Sequence, residues 1–161
     1  MAIRSTVTDR VTVEVLVEAS PETTFQFFVD PEKMTRWQGI RAELDPVPGG
    51  TFSVDVTHQA HARGTYVEVD PPRRVVFTWG WEGDDAVPPG SSTVYITLEP
   101  QGDATLVRLV HTDLPADKRD LHREGWEHFA SRLAIAATGG DPGPDPLLER
   151  DGQAKYQGEE N

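Results

Sequence analysis

The sequence predicts a single α+β domain in which a curved antiparallel sheet wraps around one long C-terminal helix. Three observations lead to this fold class: an alternating strand pattern over residues 11–18, a region of strands and turns over 42–113, and one amphipathic helical stripe over 115–137. The length of 161 residues fits one domain, residues 1–140, followed by a tail, residues 141–161.

The first predicted strand covers residues 11–18, where apolar and polar side chains alternate. Valines at positions 11, 13, 15 and 17 share one face, a period of two that is typical of a half-buried strand. Two short helices are predicted next, because Ser20-Pro21-Glu22 and Asp30-Pro31-Glu32 each supply an N-cap residue, a proline at the first helical position and an acidic first turn. Gly39 ends the second helix.

The middle of the chain is predicted to consist of strands joined by tight turns. Five apolar or alternating runs lie near residues 51–58, 62–69, 74–81, 92–99 and 104–112, and a short additional strand over 42–45 raises the total from six strands to seven. Gly, Pro and Asp clusters separate these runs. Because the connections are short, we expect neighbouring runs to pair as an antiparallel meander.

The long helix is predicted from one apolar stripe. Trp126, Phe129, Leu133 and Ala137 recur at helical spacing, and Gly139-Gly140 ends the helix. Residues 141–161 are rich in Gly, Pro and acidic residues, which is typical of a tail. Its prolines and Leu147-Leu148 leave open a second interpretation, an irregular segment that lies over the body.

A sheet with one apolar face must be covered, and one long helix crossing a curved sheet does so. The two short helices then close one end. This arrangement is the helix-grip, and it is suited to enclosing an apolar cavity.

Several short motifs follow one another in the order typical of a known superfamily. They are Ala19-Ser20-Pro21-Glu22, Pro48-Gly49-Gly50, residues 64–73 continuing into Val75-Val76-Phe77-Thr78-Trp79, Thr105 with Leu109-Val110-His111, and Gly125-Trp126. With these motifs, residues 11–138 resemble START-like (SRPBCC, birch-allergen-like) proteins, and within them homologues of the heat-shock-chaperone ATPase activator. The resemblance implies a helix-grip fold with a deep cavity between sheet and helix. Members include lipid and polyketide carriers, cyclases, antibiotic-sequestering proteins and co-chaperone domains, and they share no catalytic residue.

Composition excludes several classes of partner and site. Asp and Glu number 27 against 15 Lys and Arg, so the net charge of −12 disfavours nucleic acids and anionic membranes. The sequence has no cysteine, which excludes disulfides, thiolate metal sites and cysteine nucleophiles. Residues 1–10 are polar and no apolar run approaches the length of a membrane span, so we expect a cytoplasmic protein without membrane insertion.

Two histidines are predicted to face the interior. Strand parity with Phe52 and Val54 turns His58 inward, and parity with Leu109 turns His111 inward. Such histidines orient ligands or act as acid–base groups, and the alternative is a strand-end histidine that is only hydrogen-bonded. We predict that His111 is the main polar contact for a ligand. His111→Leu should then keep or raise stability while weakening the binding of a polar-headed ligand.

No pattern in the sequence matches a metal site or a nucleophile. His58 and His61 lie on one hairpin and Glu124 precedes His128 by four residues, but neither spacing is that of a known metal-ligand motif. None of the serines at 53, 91, 92 and 131 has glycines two residues before and two after. We therefore predict no metal, no cofactor and no catalytic residue.

The aromatic residues favour a ligand site. The four tryptophans come from well-separated parts of the chain, and they can either fill the space between sheet and helix or line a cavity there. The candidate cavity residues are Phe25, Phe28, Trp37, Phe52, Val54, Val56, His58, Trp79, Trp81, Tyr95, Leu109, His111, Trp126, Phe129 and Leu133.

Three functions remain open at this point. The first is binding of a small, mostly apolar or aromatic molecule in the cavity. The second is a cyclase- or hydrolase-type enzyme, which needs an ionisable group beside the pocket. The third is a chaperone-associated interaction module, which needs an exposed apolar patch. The sequence does not distinguish a monomer from a homodimer.

Overall fold

The computed structural model of the protein describes residues 3–150. Eight strands are present in this part of the chain: β1 (Ile3–Val7), β2 (Val11–Val17), β3 (Arg41–Leu44), β4 (Thr51–Asp55), β5 (His61–Asp70), β6 (Arg74–Trp79), β7 (Ser92–Gln101) and β8 (Ala104–Thr112). The helices are α1 (Pro21–Phe25), α2 (Pro31–Met34) and α3 (Ala116–Ala136), with short 3₁₀ turns at Gln26–Phe28 and Pro146–Arg150. None of the helices within residues 3–150 is long and apolar enough to cross a membrane.

The strands form one antiparallel sheet in the order β1-β2-β8-β7-β6-β5-β4-β3. Strands β3 to β8 are consecutive neighbours, which confirms the predicted meander. The sheet and the long helix α3 together make the predicted helix-grip.

The first strand, β1, was not predicted. The sequence indicates six or seven strands and none before residue 11. Only Ile3 and Val7 are apolar in this segment, and Val7 is exposed, so it shows little amphipathic alternation. β1 pairs along the outer edge of β2, from Ile3 opposite Val15 to Val7 opposite Val11. Its backbone hydrogen bonds to β2, the packing of Ile3 on the core and a hydrogen bond from Ser5 to Glu127 of α3 explain its place in the sheet.

The inward face of β2 is completely buried. The four valines predicted to share this face are each at most 2% exposed. On α3, the predicted stripe of Trp126, Phe129, Leu133 and Ala137 is also buried, and the helix packs against β1 and β2. Sheet and helix therefore share one apolar core.

Both short helices begin where the sequence predicts. The Ser20 hydroxyl accepts a hydrogen bond from the Thr23 backbone N–H at 3.1 Å. The Asp30 carboxylate accepts one from the Glu32 backbone N–H at 2.9 Å. These caps satisfy first-turn N–H groups that have no partner within the helix, which is why the helices start there.

Residues 141–148, which we call the C-terminal strap, pack on the body. Leu147 is 6% exposed and belongs to the core, and Arg132 donates a hydrogen bond to the Gly143 carbonyl at 3.0 Å. The prediction of a free tail from residue 141 is therefore wrong for residues 141–148. Burial of the apolar Leu147 side chain stabilises this segment on the body, even though the residues around it in sequence are polar. The strap follows the alternative interpretation, and residues 151–161 of the predicted tail lie outside the described residues.

Candidate functional site

Most of the predicted cavity residues lie together in the interior. Thirteen of the fifteen are at most 6% exposed and surround the space between the sheet and α3, namely Phe25, Phe28, Trp37, Phe52, Val54, Val56, Trp79, Trp81, Leu109, His111, Trp126, Phe129 and Leu133. The two exceptions are His58 and Tyr95.

His58 is exposed, so its predicted inward orientation is wrong. Strand β4 ends at Asp55, and the chain then turns tightly, with the Val56 N–H donating to the Ala60 carbonyl at 2.8 Å. The alternation that turns Phe52 and Val54 inward therefore does not continue to residue 58.

Tyr95 lies on the outer face of the sheet, which contradicts its predicted place in the cavity. On β7 the buried residues are Val94, Ile96 and Leu98, and Tyr95 alternates with them. The Arg74 guanidinium lies 5.5 Å from the centre of the Tyr95 ring. This contact places the tyrosine among surface side chains.

Aromatic rings fill most of the space between sheet and helix. Phe52 and Phe77 are stacked with their centroids 3.9 Å apart. The Trp79 ring lies 5.2 Å from that of Trp81 and 5.0 Å from that of Trp126. The rings pack against one another, as interior side chains normally do.

Two small voids lie among these rings. The first, which we call the Trp79 void, has a volume of about 10 Å³ and is lined by Gln38, Trp79, Trp81, His122, Gly125, Trp126 and Phe129. The second, the Trp37 void, has a volume of about 20 Å³ and is lined by Val13, Val15, Phe28, Trp37, Ile96, Val107, Leu109, Trp126, Ala130 and Leu133. A water molecule needs roughly 10–15 Å³ on this measure. The expected deep cavity is therefore closed in this conformation, because the aromatic side chains occupy it.

His111 is completely buried and hydrogen-bonded through both ring nitrogens. The Trp126 indole N–H, which can only donate, lies 3.0 Å from Nδ1. Nε2 therefore carries the proton and donates to the Ser92 hydroxyl at 2.8 Å, which in turn donates to the Trp79 carbonyl at 2.7 Å. Burial, together with the neighbouring His122, holds the pKa of His111 well below its usual value. The imidazole is thus neutral, and it lines neither void.

His122 is a second buried histidine, which the sequence analysis missed. Its Nε2 accepts the Trp81 indole N–H at 3.0 Å, and its Nδ1 donates to the Lys118 carbonyl at 2.8 Å. Burial lowers the pKa of His122 to about 4, against a raising effect of the hydrogen bond to Lys118. His122 precedes Trp126 by four residues, so extending the apolar stripe of α3 by one turn would have found it.

The two histidines have little capacity for acid–base catalysis in this arrangement. Each imidazole accepts from one tryptophan and donates to one oxygen, so no nitrogen is left to take a proton from a substrate. Within residues 3–150 no group of three or more His, Asp or Glu is placed to hold a metal ion. The geometry gives His111 and His122 a structural role in joining sheet and helix.

Trp79 contains an unsatisfied polar group. Its side chain is 2% exposed, and Nε1 has no hydrogen-bond partner in the described part of the chain. Buried N–H groups are rarely left unpaired, and those that are call for an explanation. Thr24 Oγ1 and Asp84 Oδ2 are also buried without a partner in the described part of the chain, but neither residue lines one of the two voids, whereas Trp79 does.

A larger open groove lies beside the closed interior. It has a volume of about 340 Å³ and is lined by Thr35, Gly39, Ile40, Val56, Arg132, Gly143, Pro144, Asp145 and Leu148. The strap forms one wall of this groove. It is held to α3 by Arg132 and by a 2.9 Å contact between His128 Nε2 and Asp145 Oδ1.

The charge of Asp145 is stabilised in this wall. Burial raises the pKa of the carboxyl, but hydrogen bonds from His128 and from the Leu147 backbone N–H, with the charges of His128 and Arg132, hold the pKa below its usual value. The strap is therefore anchored by a carboxylate that stays ionised near neutral pH.

The turn over residues 37–40 borders the groove and both voids. Trp37 lines the Trp37 void and Gln38 lines the Trp79 void, while Gly39 and Ile40 line the groove. Arg132 donates to the Trp37 carbonyl at 3.2 Å, and the Ile40 N–H donates to the Asp55 carbonyl at 2.8 Å. One short turn is thus shared by all three spaces.

Comparison with known proteins identifies similar chains. Residues 18–138 match the protein family described as Activator of Hsp90 ATPase homolog 1-like protein. An AHSA1-like protein from Rhizobium etli, determined by NMR in solution, is 45% identical, with a TM-score of 0.69 and coverage of 89% of each chain. None of the curated proteins matches this chain.

Two more distant structures show the same fold. CalU16 from Micromonospora echinospora is 23% identical, with a TM-score of 0.72 over 98% of this chain and 95% of that chain. DynU16, a protein in the dynemicin biosynthetic locus, is 24% identical, with a TM-score of 0.74 over 84% of this chain and 49% of that chain.

Proposed function

Because the chain belongs to the family of Activator of Hsp90 ATPase homolog 1-like proteins, within the START-like superfamily, we propose that it binds a small, mostly apolar or aromatic molecule. The molecule enters from the groove and lies between the sheet and α3. The observation that supports this most directly is the position of the turn over residues 37–40, which contributes lining residues to the groove and to both internal voids.

The size and lining of the groove fit such a ligand. Its volume of about 340 Å³ falls within the roughly 300–1,000 Å³ of small-molecule sites. Ile40, which is 39% exposed, Val56 and Leu148 supply apolar contacts, and Arg132 and Asp145 supply a polar margin. This combination of apolar walls with a few polar groups is typical of ligand pockets.

Movement of the turn connects the groove to the interior. The turn is not part of a strand or helix, and it is held by the hydrogen bonds from Arg132 to the Trp37 carbonyl and from the Ile40 N–H to Asp55, together with the buried Trp37 ring. A displacement that breaks these contacts opens it without unfolding a strand or helix. The aromatic rings behind it then become walls of a ligand site instead of filler. A ligand that binds only the open form shifts the protein toward that form.

The experiment is a fluorescence titration with the neutral apolar dye Nile red. We expect saturable binding near one dye per chain, weakened at least fivefold in Ile40→Asp because a carboxylate in the groove wall disfavours an apolar ligand. Val67→Asp is the matched control, since Val67 is 50% exposed and does not line the groove. Absence of saturable binding, or equal weakening by both substitutions, contradicts the proposal.

The family description supports a second candidate, a chaperone-associated interaction module. Ile40 and Val47, which flank the edge strand β3, are 39% and 50% exposed and offer apolar contacts to the side chains of a partner protein. Stimulation of the ATPase of a purified Hsp90-type chaperone, lost in a Val47→Asp variant, supports this candidate. An unchanged ATPase rate at saturating protein argues against it.

A further inference from the structure

The four tryptophans differ in how their indole N–H groups are satisfied. Trp37 donates to the Phe27 carbonyl at 2.9 Å. Trp81 donates to His122 and Trp126 donates to His111, both at 3.0 Å. Trp79 Nε1 is buried and has no such partner within residues 3–150.

The reason lies in a count of donors and acceptors around the Trp79 void. The indoles of Trp79, Trp81 and Trp126 converge there, so three N–H donors meet two imidazoles. Each neutral imidazole offers one acceptor nitrogen, and Trp81 and Trp126 occupy both. The Trp79 ring lies 6.0 Å from that of His111, but the acceptor nitrogen of this histidine is already used. The third donor, Trp79 Nε1, has no partner among the described residues, so an acceptor that enters the void can satisfy it.

We propose that Trp79 selects the ligand: the bound molecule carries a hydrogen-bond acceptor, of the carbonyl class, that takes the Trp79 indole N–H. This inference rests on the proposed function and adds the chemistry that the ligand must have. An acceptor is required because an indole N–H cannot accept, and both imidazole acceptors nearby are occupied. A ligand with only a donor at this end leaves two unpaired donors facing each other.

The shape of the void agrees with a single polar atom at this position. Its volume of about 10 Å³ has room for one oxygen-sized group, and Gln38 is the residue of the turn over 37–40 that lines it. The apolar body of the ligand therefore lies toward the turn and the groove, while its oxygen reaches Trp79. Gln38 also lines the void, so its amide offers a second polar contact to that oxygen.

The test uses two naphthalenes of nearly equal size, 2-acetylnaphthalene and 2-ethylnaphthalene, which differ in a carbonyl oxygen. We expect the wild-type protein to bind the acetyl compound about five- to tenfold more tightly, the range that one net hydrogen bond supplies. In Trp79→Phe, which keeps an aromatic ring and removes the N–H, the ratio should fall to about one. Tyr95→Phe, on the outer face of the sheet, should keep the wild-type ratio.

A second measurement follows binding to the wild-type protein itself, so it does not require that Trp79→Phe still binds either compound. In ¹H–¹⁵N spectra of the wild-type protein, the indole signal of Trp79, identified by its absence in Trp79→Phe, should move downfield with the acetyl compound and not with the ethyl compound. Equal affinities for the two compounds, or a Trp79 signal that responds alike to both, overturns the inference and leaves the proposed function standing. If neither naphthalene binds wild-type protein that binds Nile red, the inference fails; if neither naphthalene nor Nile red binds, the proposed function fails with it.

Discussion

The Trp126 indole N–H lies 3.0 Å from Nδ1 of His111, and this hydrogen bond joins the long helix to strand β8 inside the core. It fixes the tautomer of the imidazole, so that Nε2–H points to Ser92 on the neighbouring strand β7. His111, near the end of β8, thus connects three elements: α3, β8 and β7.

The first prediction concerns this connection. His111→Leu should lower the free energy of unfolding by ~2 kcal/mol, because it leaves the buried Trp126 N–H without an acceptor. This is opposite to the expectation from sequence that leucine is tolerated. Urea denaturation measures the change. The double variant His111→Leu/Trp126→Phe is the control, since removing both partners should recover part of the loss. A fully additive double variant contradicts the coupling.

The second prediction concerns pH. The folded-state pKa of His122, about 4, lies below the unfolded value of 6.5, so the unfolded chain binds the proton first as pH falls. Stability is therefore complete above pH 6.5 and declines between pH 6.5 and 4, by ~3 kcal/mol for this group. His111, lowered in the same direction, adds to the decline.

Urea midpoints measured across this pH range check the effect. His122→Phe should flatten the dependence, whereas substitution of the exposed His58 by Gln should leave it unchanged. If the stability of the wild-type protein and of both variants depends on pH in the same way, the dependence arises from surface carboxylates instead of His122.

The third prediction concerns the strap. Leu147→Ala should cost ~2–3 kcal/mol and lower the melting temperature by about 5 °C or more, because it removes buried methyl groups from the core. Leu148→Ala, next in the chain and only half-buried, should cost less than ~1 kcal/mol. Thermal denaturation compares the two. Equal small effects would show that the strap contributes little to stability and would favour the sequence-based prediction that residues from 141 onward form a tail.

The fourth prediction concerns the turn between groove and voids. Gly39 has φ +89°, and a Cβ there would lie 2.7 Å from Val54 Cγ1 and 2.8 Å from the Asp55 carbonyl oxygen. Gly39→Ala should therefore destabilise the protein by ~2 kcal/mol or more. Gly49 has a similar φ of +86° but nothing within 4 Å, so Gly49→Ala isolates the backbone cost alone, ~1 kcal/mol. Similar losses in the two variants contradict the tight packing of the turn.

The fold was largely predictable because it is encoded in periodicity. The alternating valines of β2 and the stripe around Trp126 each repeat often enough to determine which face is buried. Strand β1 was missed because its side chains barely alternate, and its pairing depends on backbone groups that every sequence has.

The site was less predictable. Strand parity indicates towards which face a side chain points, but it indicates neither where a strand ends nor how much space the interior contains. His58 lies beyond the last paired residue of β4, where alternation stops. Tyr95 was assigned to the wrong face of β7. The sequence indicates that several aromatic rings converge, but their tilts determine whether they leave a cavity, and these depend on contacts between distant elements such as Trp79 and Trp126.

Within residues 3–150 the open sheet has two edges, β1 and β3, and an exposed edge strand is a template for pairing with a second chain. Both edges are poorly suited to that. β3 has only four residues, with Arg41 and Glu43 exposed, and β1 has five, with Arg4 exposed. Short, charged edge strands deny an incoming strand a long apolar surface, and the acidic net charge of −12 adds repulsion between copies. Strand β1, which the sequence pattern did not reveal, therefore also covers the edge of β2, so that the alternating valines of β2 do not lie on an edge strand.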